Sequence, residues 1–121
     1  MPLNFLRSFK NGLAGIGHVV RSERNMRIHV LAALGVVAAG VGFRLAAWEW
    51  VAVLLCVGLV LSAECANTAL ERLADRVSTE QHPLLKAAKD SASGAVLILA
   101  LTAAVVGGIV FLPRLRALVG W

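Results

Sequence analysis

Leu6, Phe9, Leu13, Ile16 and Val20 recur at spacings of three and four, the stripe of one helical face. Arg7, Lys10 and Arg21 lie off that stripe. The segment is too polar to span a bilayer and has no small-residue cleavage site after a continuous apolar core, so a secretory signal does not fit. It predicts an amphipathic helix over about 3–24, lying in the membrane interface. Three longer apolar stretches follow. Val30–Phe43 carries no ionisable group, and a span over about 28–47 sets His29 and Arg44 at the two interfaces. Val51–Ala63 runs without Gly58 interrupting its apolar character and continues directly into a polar helix, predicting one long helix over about 48–76. Ser91–Leu112 is 22 residues without a charge, the clearest span, placed at about 84–112. Pro83 suits the first turn of that helix, and Pro113 is expected to end it, leaving Arg114, Arg116 and Trp121 as a short tail.

The second helix ends in an unusual way. Glu64, Asn67, Glu71 and Asp75 fall within an arc of roughly 80° and over about 16 Å of helix axis. Like charges at these spacings weaken a helix unless a cation sits between them. Carboxylates where a hydrophobic segment ends are costly enough to point to function. Glu23 poses a second question, because an ordinary basic anchor would account for Arg21, Arg24 and Arg27 but gives an acid among them no task. Trp48, Glu49 and Trp50, by contrast, read as an interface belt.

Composition fits this pattern. Of 121 residues 59% are apolar and 16% charged, which describes one all-α, membrane-embedded domain over 1–121. The net charge of +5 would suggest nucleic acid in a soluble chain, but here the cations flank apolar segments and face lipid headgroups instead. Nine Lys or Arg lie in residues 1–27 and 72–89, against three in the 44–50 turn and the tail. That asymmetry puts the N-terminus and the 72–90 region in the cytoplasm and the C-terminus outside. Six of the seven acids, all but Glu49, share the cytoplasmic side. Cys56 and Cys65 lie nine residues apart on one helix and cannot pair there, and they have no partners for a zinc site.

Hard carboxylate oxygens suit Mg²⁺, which takes one or two carboxylates and completes its shell with phosphates and water. Such a set can hold a nucleoside triphosphate without a P-loop, and neither GxxxxGK[ST] nor GxGxxG occurs. Glu64, nearest the bilayer, could accept a proton from a lipid hydroxyl. Glu71 and Glu23 could hold the metal, while Lys89 neutralises phosphate charge. A small proton- or ion-coupled transporter would need its acids near the midplane, and a scaffold subunit would not need them clustered.

The residues resemble a family. Glu64-x-x-Asn67-x-Ala69-x-Glu71-x-x-x-Asp75, His82, and Ala88-Lys89-Asp90-x-x-x-Gly94-Ala95 are similar to the bacterial diacylglycerol kinase family of integral membrane lipid kinases. Glu23-x-Asn25-x-Arg27-x-His29 and Arg7-Ser8-Phe9-Lys10-Asn11-Gly12 add to the likeness, which covers nearly the whole chain in order. The resemblance implies a homotrimeric helical bundle in the bacterial cytoplasmic membrane, with three transmembrane helices and a surface helix per subunit. Its sites would lie at the cytoplasmic interface between subunits and use MgATP to phosphorylate a lipid alcohol. By position Glu64 matches the catalytic base, and Glu23 and Glu71 the metal-binding glutamates. Both of these, with Asp75, Glu80, Gln81, His82, Lys89 and Asp90, match nucleotide contacts. Glu64, Asn67 and Ser93 match the lipid-substrate positions. Asn11 and Gln81 stand where relatives often carry Tyr, and Asn4 is no counterpart to an Arg that some members use. Glu23–His29, His82-Pro83-Leu84 and Phe111-Leu112-Pro113 look more like the branch that uses undecaprenol than the one that uses diacylglycerol.

Overall fold

Four helices carry the chain: α1 (Pro2–Ser22), α2 (Arg24–Phe43), α3 (Ala47–Val77) and α4 (Pro83–Leu118). The structure, a computed structural model, describes residues 2–120, so Trp121 lies outside the described residues. Among the described residues there is no strand. The last three helices are each long and apolar enough to cross a membrane. The protein is therefore an all-α membrane protein, with α1 as a shorter helix joined to the first span.

The helix ends explain the element boundaries. Glu23 alone separates α1 from α2, its backbone extended at φ −114° and ψ 118°. The Arg27 side chain donates to the carbonyl oxygens of Val20 (3.0 Å) and Arg21 (2.8 Å), satisfying acceptors that the end of α1 would otherwise leave open. At the other end of α2, Arg44 adopts the left-handed conformation (φ 56°, ψ 61°) usually taken by glycine. The Leu45 amide reaches back to the Gly40 carbonyl at 3.1 Å, and the chain turns directly into α3. Gly40 is needed for this turn, because a Cβ there would come within 2.7 Å of the Trp50 ring. The Ala46 amide donates to Glu49 Oε1 at 2.9 Å, covering the start of α3. His82 caps α4 through Nδ1, which accepts from the Leu84 amide at 3.1 Å, with Pro83 in the first turn.

Packing is concentrated where α2, α3 and α4 meet near the Arg44 turn. Leu45, Val53 and Val110 are buried there, with Trp50, Phe43 and Phe111 against them. The two phenylalanine rings sit 6.2 Å apart between centroids in a tilted arrangement. At the opposite end Val19 of α1 and Met26 of α2 are buried. Leu31, Leu54, Leu97 and Ile98, among many others, remain exposed, as expected of side chains whose solvent is hydrocarbon.

Two expectations need correction. Pro113 does not end α4, which continues to Leu118. Proline removes one backbone donor, yet the helix runs on, and the turn beyond it is tied to α3: Arg114 donates to the Val110 carbonyl at 3.0 Å and binds Glu49. Glu49 in turn is not simply part of an exposed aromatic belt. It is 4% exposed, and both terminal nitrogens of Arg114 donate to its carboxylate.

Candidate active site

Residues four and seven apart place Val53, Val60, Glu64 and Thr68 on the buried face of α3. Glu64 is thus carried inward by the same stripe that packs the span, and it is only 2% exposed. The nearest nitrogen of a basic side chain is His29 Nε2 of α2, 3.9 Å from Glu64 Oε2. Glu23 and Glu71 also lie within electrostatic reach of Glu64. The structure therefore brings the three predicted glutamates together at one end of the bundle, from the α1–α2 break and two turns of α3. Glu23 Oε1 accepts from Arg72 at 2.9 Å, which gives the acid among the arginines a cross-helix partner. Among the described residues Glu71 makes no ion pair.

Two recesses flank this cluster. One is an apolar groove of about 260 Å³ between α2, α3 and α4, with His29, Leu61 and Ala100 at one end and Val36, Val53 and Gly107 at the other. Glu64 stands one turn beyond its Val60–Leu61 end. The second is a polar pocket of about 610 Å³ around the α3–α4 connection. Asp75, Glu80, Gln81, His82, Lys89 and Asp90 all line it, so six of the positions expected to meet nucleotide share one wall. Within it Asp75 pairs with Lys89 across the two helices, and Asp90 with Lys86 along α4. Ser78 Oγ accepts from the Glu80 amide at 3.1 Å, which shapes the connection.

Asn67 is half-buried, and its Oδ1 has no hydrogen-bond partner; the Thr68 hydroxyl, fully buried, has none either. Ser91 and Thr102 show the usual alternative, donating to carbonyls four residues back at 2.7 and 2.8 Å. Ser93 is exposed on α4 and lines neither recess. Sequence reasoning missed the burial of Thr68, although its position four residues after Glu64 on the same face was a sufficient signal. It also left His29 at an interface without a partner.

Among the described residues no three acids, histidines or cysteines cluster closely enough to bind a metal by themselves. Glu23 and Glu71, the two acids whose charge acts on Glu64, are hard oxygen donors of the kind Mg²⁺ takes.

The fold and this end-on cluster define a small multi-pass membrane protein whose polar chemistry sits at one end of an apolar bundle. The chain belongs to the prokaryotic diacylglycerol kinase family, whose profile matches residues 10–111. It is 40% identical over 111 residues to the undecaprenol kinase of Bacillus subtilis, covering 92% of this chain and 90% of that one. Against the diacylglycerol kinase of a Synechocystis species it is 40% identical over 116 residues, covering 95% of this chain and 66% of the relative. A shorter match of 54 residues at 44% identity links it to the diacylglycerol kinase of Haemophilus influenzae, covering 44% and 46% of the two chains.

Proposed function

We propose that this chain, a lipid kinase by family, transfers the γ-phosphoryl group of MgATP to the hydroxyl of a membrane lipid alcohol, with undecaprenol as the acceptor. The observation that carries this reading is the placement of Glu64, a buried carboxylate between an apolar groove and a polar pocket. A lipid tail can lie in the groove while its hydroxyl reaches Glu64. A nucleotide can lie toward Lys89 and Asp90, outside the apolar span.

Glu64 takes the hydroxyl proton as the oxygen attacks the γ-phosphorus. The bond from phosphorus to the leaving oxygen breaks, and the products are a lipid phosphate and ADP. Glu23 and Glu71 would hold Mg²⁺, which when bound neutralises charge on the β- and γ-phosphates. Lys89 offers a cation to the phosphates, and Asp75 keeps it oriented. Glu80, Gln81, His82 and Asp90 border the space left for the rest of the nucleotide. Asn67, one turn along from Glu64, carries a buried amide oxygen without a hydrogen-bond partner, a polar group set beside the base where the acceptor headgroup would lie.

The working unit in this reading is a homotrimer. Gly35, Gly42, Gly58, Gly94 and Gly107 have nothing of their own chain near the position of an added Cβ, which leaves them open to a neighbouring helix. The site lies at the cytoplasmic face of the bacterial inner membrane, on the side rich in Lys and Arg.

The direct test supplies purified protein with radiolabelled ATP, Mg²⁺ and either undecaprenol or diacylglycerol in mixed micelles. Label is expected in the lipid fraction, more efficiently with undecaprenol. Label in neither lipid would overturn the reading, and faster labelling of diacylglycerol would overturn the choice of acceptor. Neither a transporter nor a scaffold finds support among the relatives.

A further inference from the structure

We propose that His29 is a positioning residue for the reaction: its Nε2–H holds one oxygen of Glu64, so that the other faces the acceptor hydroxyl. The inference rests on the kinase reading above and deepens it.

Four observations converge on His29. Its Nε2 lies 3.9 Å from Glu64 Oε2, and among the described residues no Lys, Arg or other His nitrogen comes within 4.0 Å of that carboxylate. The other charged groups that act on Glu64 are Glu23 and Glu71, both acidic. Arg72, a cation on the same helix as Glu64, pairs with Glu23. The apolar groove is lined by Ala, Val, Leu and Gly side chains except for His29 and the Cys56 thiol, and only His29 stands at the Glu64 end.

At 3.9 Å the contact is too long for a hydrogen bond. Catalytic contacts commonly tighten when substrate binds, and a shift of about 1 Å brings this one into hydrogen-bond range. Glu64 is nearly free of water, so it has few other donors to fix its orientation. A carboxylate that rotates freely presents its accepting oxygen in the wrong place much of the time. Donation from His29 to Oε2 leaves Oε1 as the oxygen that takes the proton of the lipid hydroxyl. The imidazole acts through Glu64, with no covalent change of its own.

The test exploits the two nitrogens of the ring. The amide nitrogen of glutamine falls close to the place of histidine Nε2, whereas that of asparagine falls close to Nδ1. Both substitutions are polar and smaller than the ring, so a merely structural role would respond to them alike. His29→Gln and His29→Asn are measured as full-length protein with MgATP and undecaprenol, alongside thermal stability and nucleotide affinity. His29→Asn is expected to lower kcat by about ten- to a hundredfold with the KM for MgATP unchanged, the scale of a misplaced reacting group. His29→Gln is expected to recover most of the rate. Equal rates in the two variants, or a KM for MgATP that rises as kcat falls, would overturn the inference. A wild-type protein that phosphorylates no lipid alcohol would instead overturn the kinase reading on which it rests, and the inference with it.

Discussion

Glu49 and Arg114 meet across the bundle although 65 positions separate them, the first near the start of α3 and the second near the end of α4. Arg114 donates from both terminal nitrogens to the carboxylate, which also accepts from the Ala46 amide. A bidentate guanidinium–carboxylate pair is specific in geometry as well as charge. It ties the turn after α2 to the last turns of α4, at the far end of the bundle from Glu64. Loss of Arg114 leaves the buried Glu49 carboxylate without its cation, and loss of Glu49 removes the only acidic partner of a half-buried Arg114 among the described residues. Arg114→Ala and Glu49→Ala should therefore each lower the thermal midpoint in detergent, and the double variant should lower it by less than the sum. Additive losses would show that the two residues do not stabilise each other.

Gly40 supplies a second test of the same end. The Trp50 ring occupies the space a side chain would need, so Gly40→Ala forces the ring, or the helix that carries it, to shift. The expected cost is about 1–3 kcal/mol, the usual range for overpacking. Denaturant unfolding in mixed micelles measures it, and Trp50→Leu in the same background should return part of the loss.

Much of this architecture could be read from local spacing. The run of Glu64, Glu71 and Asp75 predicts a shared face because a helix brings residues three, four and seven apart together whatever surrounds it. Pro83 after a polar connection announces the start of α4 for an equally local reason. Glu49 with Arg114, and His29 with Glu64, were hidden because each pair joins two helices, and spacing along one helix carries no information about its neighbour. Glu49 looked like a belt residue because tryptophans flank it, and Pro113 looked like a stop because the Glu49–Arg114 contact that anchors the turn beyond it joins positions 65 apart. The polar pocket was legible as a set of residues, and its enclosure depends on the Asp75–Lys89 pair that closes α3 on α4.

The charge asymmetry predicts a topology that labelling can check. With Cys56 and Cys65 replaced, a single cysteine at Ser78 should react with an impermeant reagent only from the cytoplasmic side. One at Leu118 should react only from outside. Labelling of both from the same side would contradict three crossings.

The metal reading concerns Glu23 and Glu71. Removing a negative oxygen ligand weakens the site for a hard cation, so Glu23→Gln and Glu71→Gln should each raise the Mg²⁺ concentration for half-maximal rate and lower turnover. Glu23→Gln also removes the charge that Arg72 pairs with, so a small effect on stability is expected there and not at Glu71. Unchanged Mg²⁺ dependence in both variants would remove them from the metal.

The central claim is that Glu64 takes the proton while its neighbours hold the nucleotide, and one comparison addresses it most directly. Glu64→Gln keeps the shape and hydrogen-bonding capacity of the side chain but cannot accept a proton. Nucleotide affinity and turnover are measured on one preparation of each of Glu64→Gln and Glu71→Gln. Glu64→Gln is expected to bind MgATP with near wild-type affinity while turnover falls by ~10²-fold or more, the usual span for a lost general base. Glu71→Gln is expected to lose binding and turnover together. Substantial activity in Glu64→Gln, or a loss of nucleotide binding as severe as in Glu71→Gln, would contradict the assignment of Glu64 as the base.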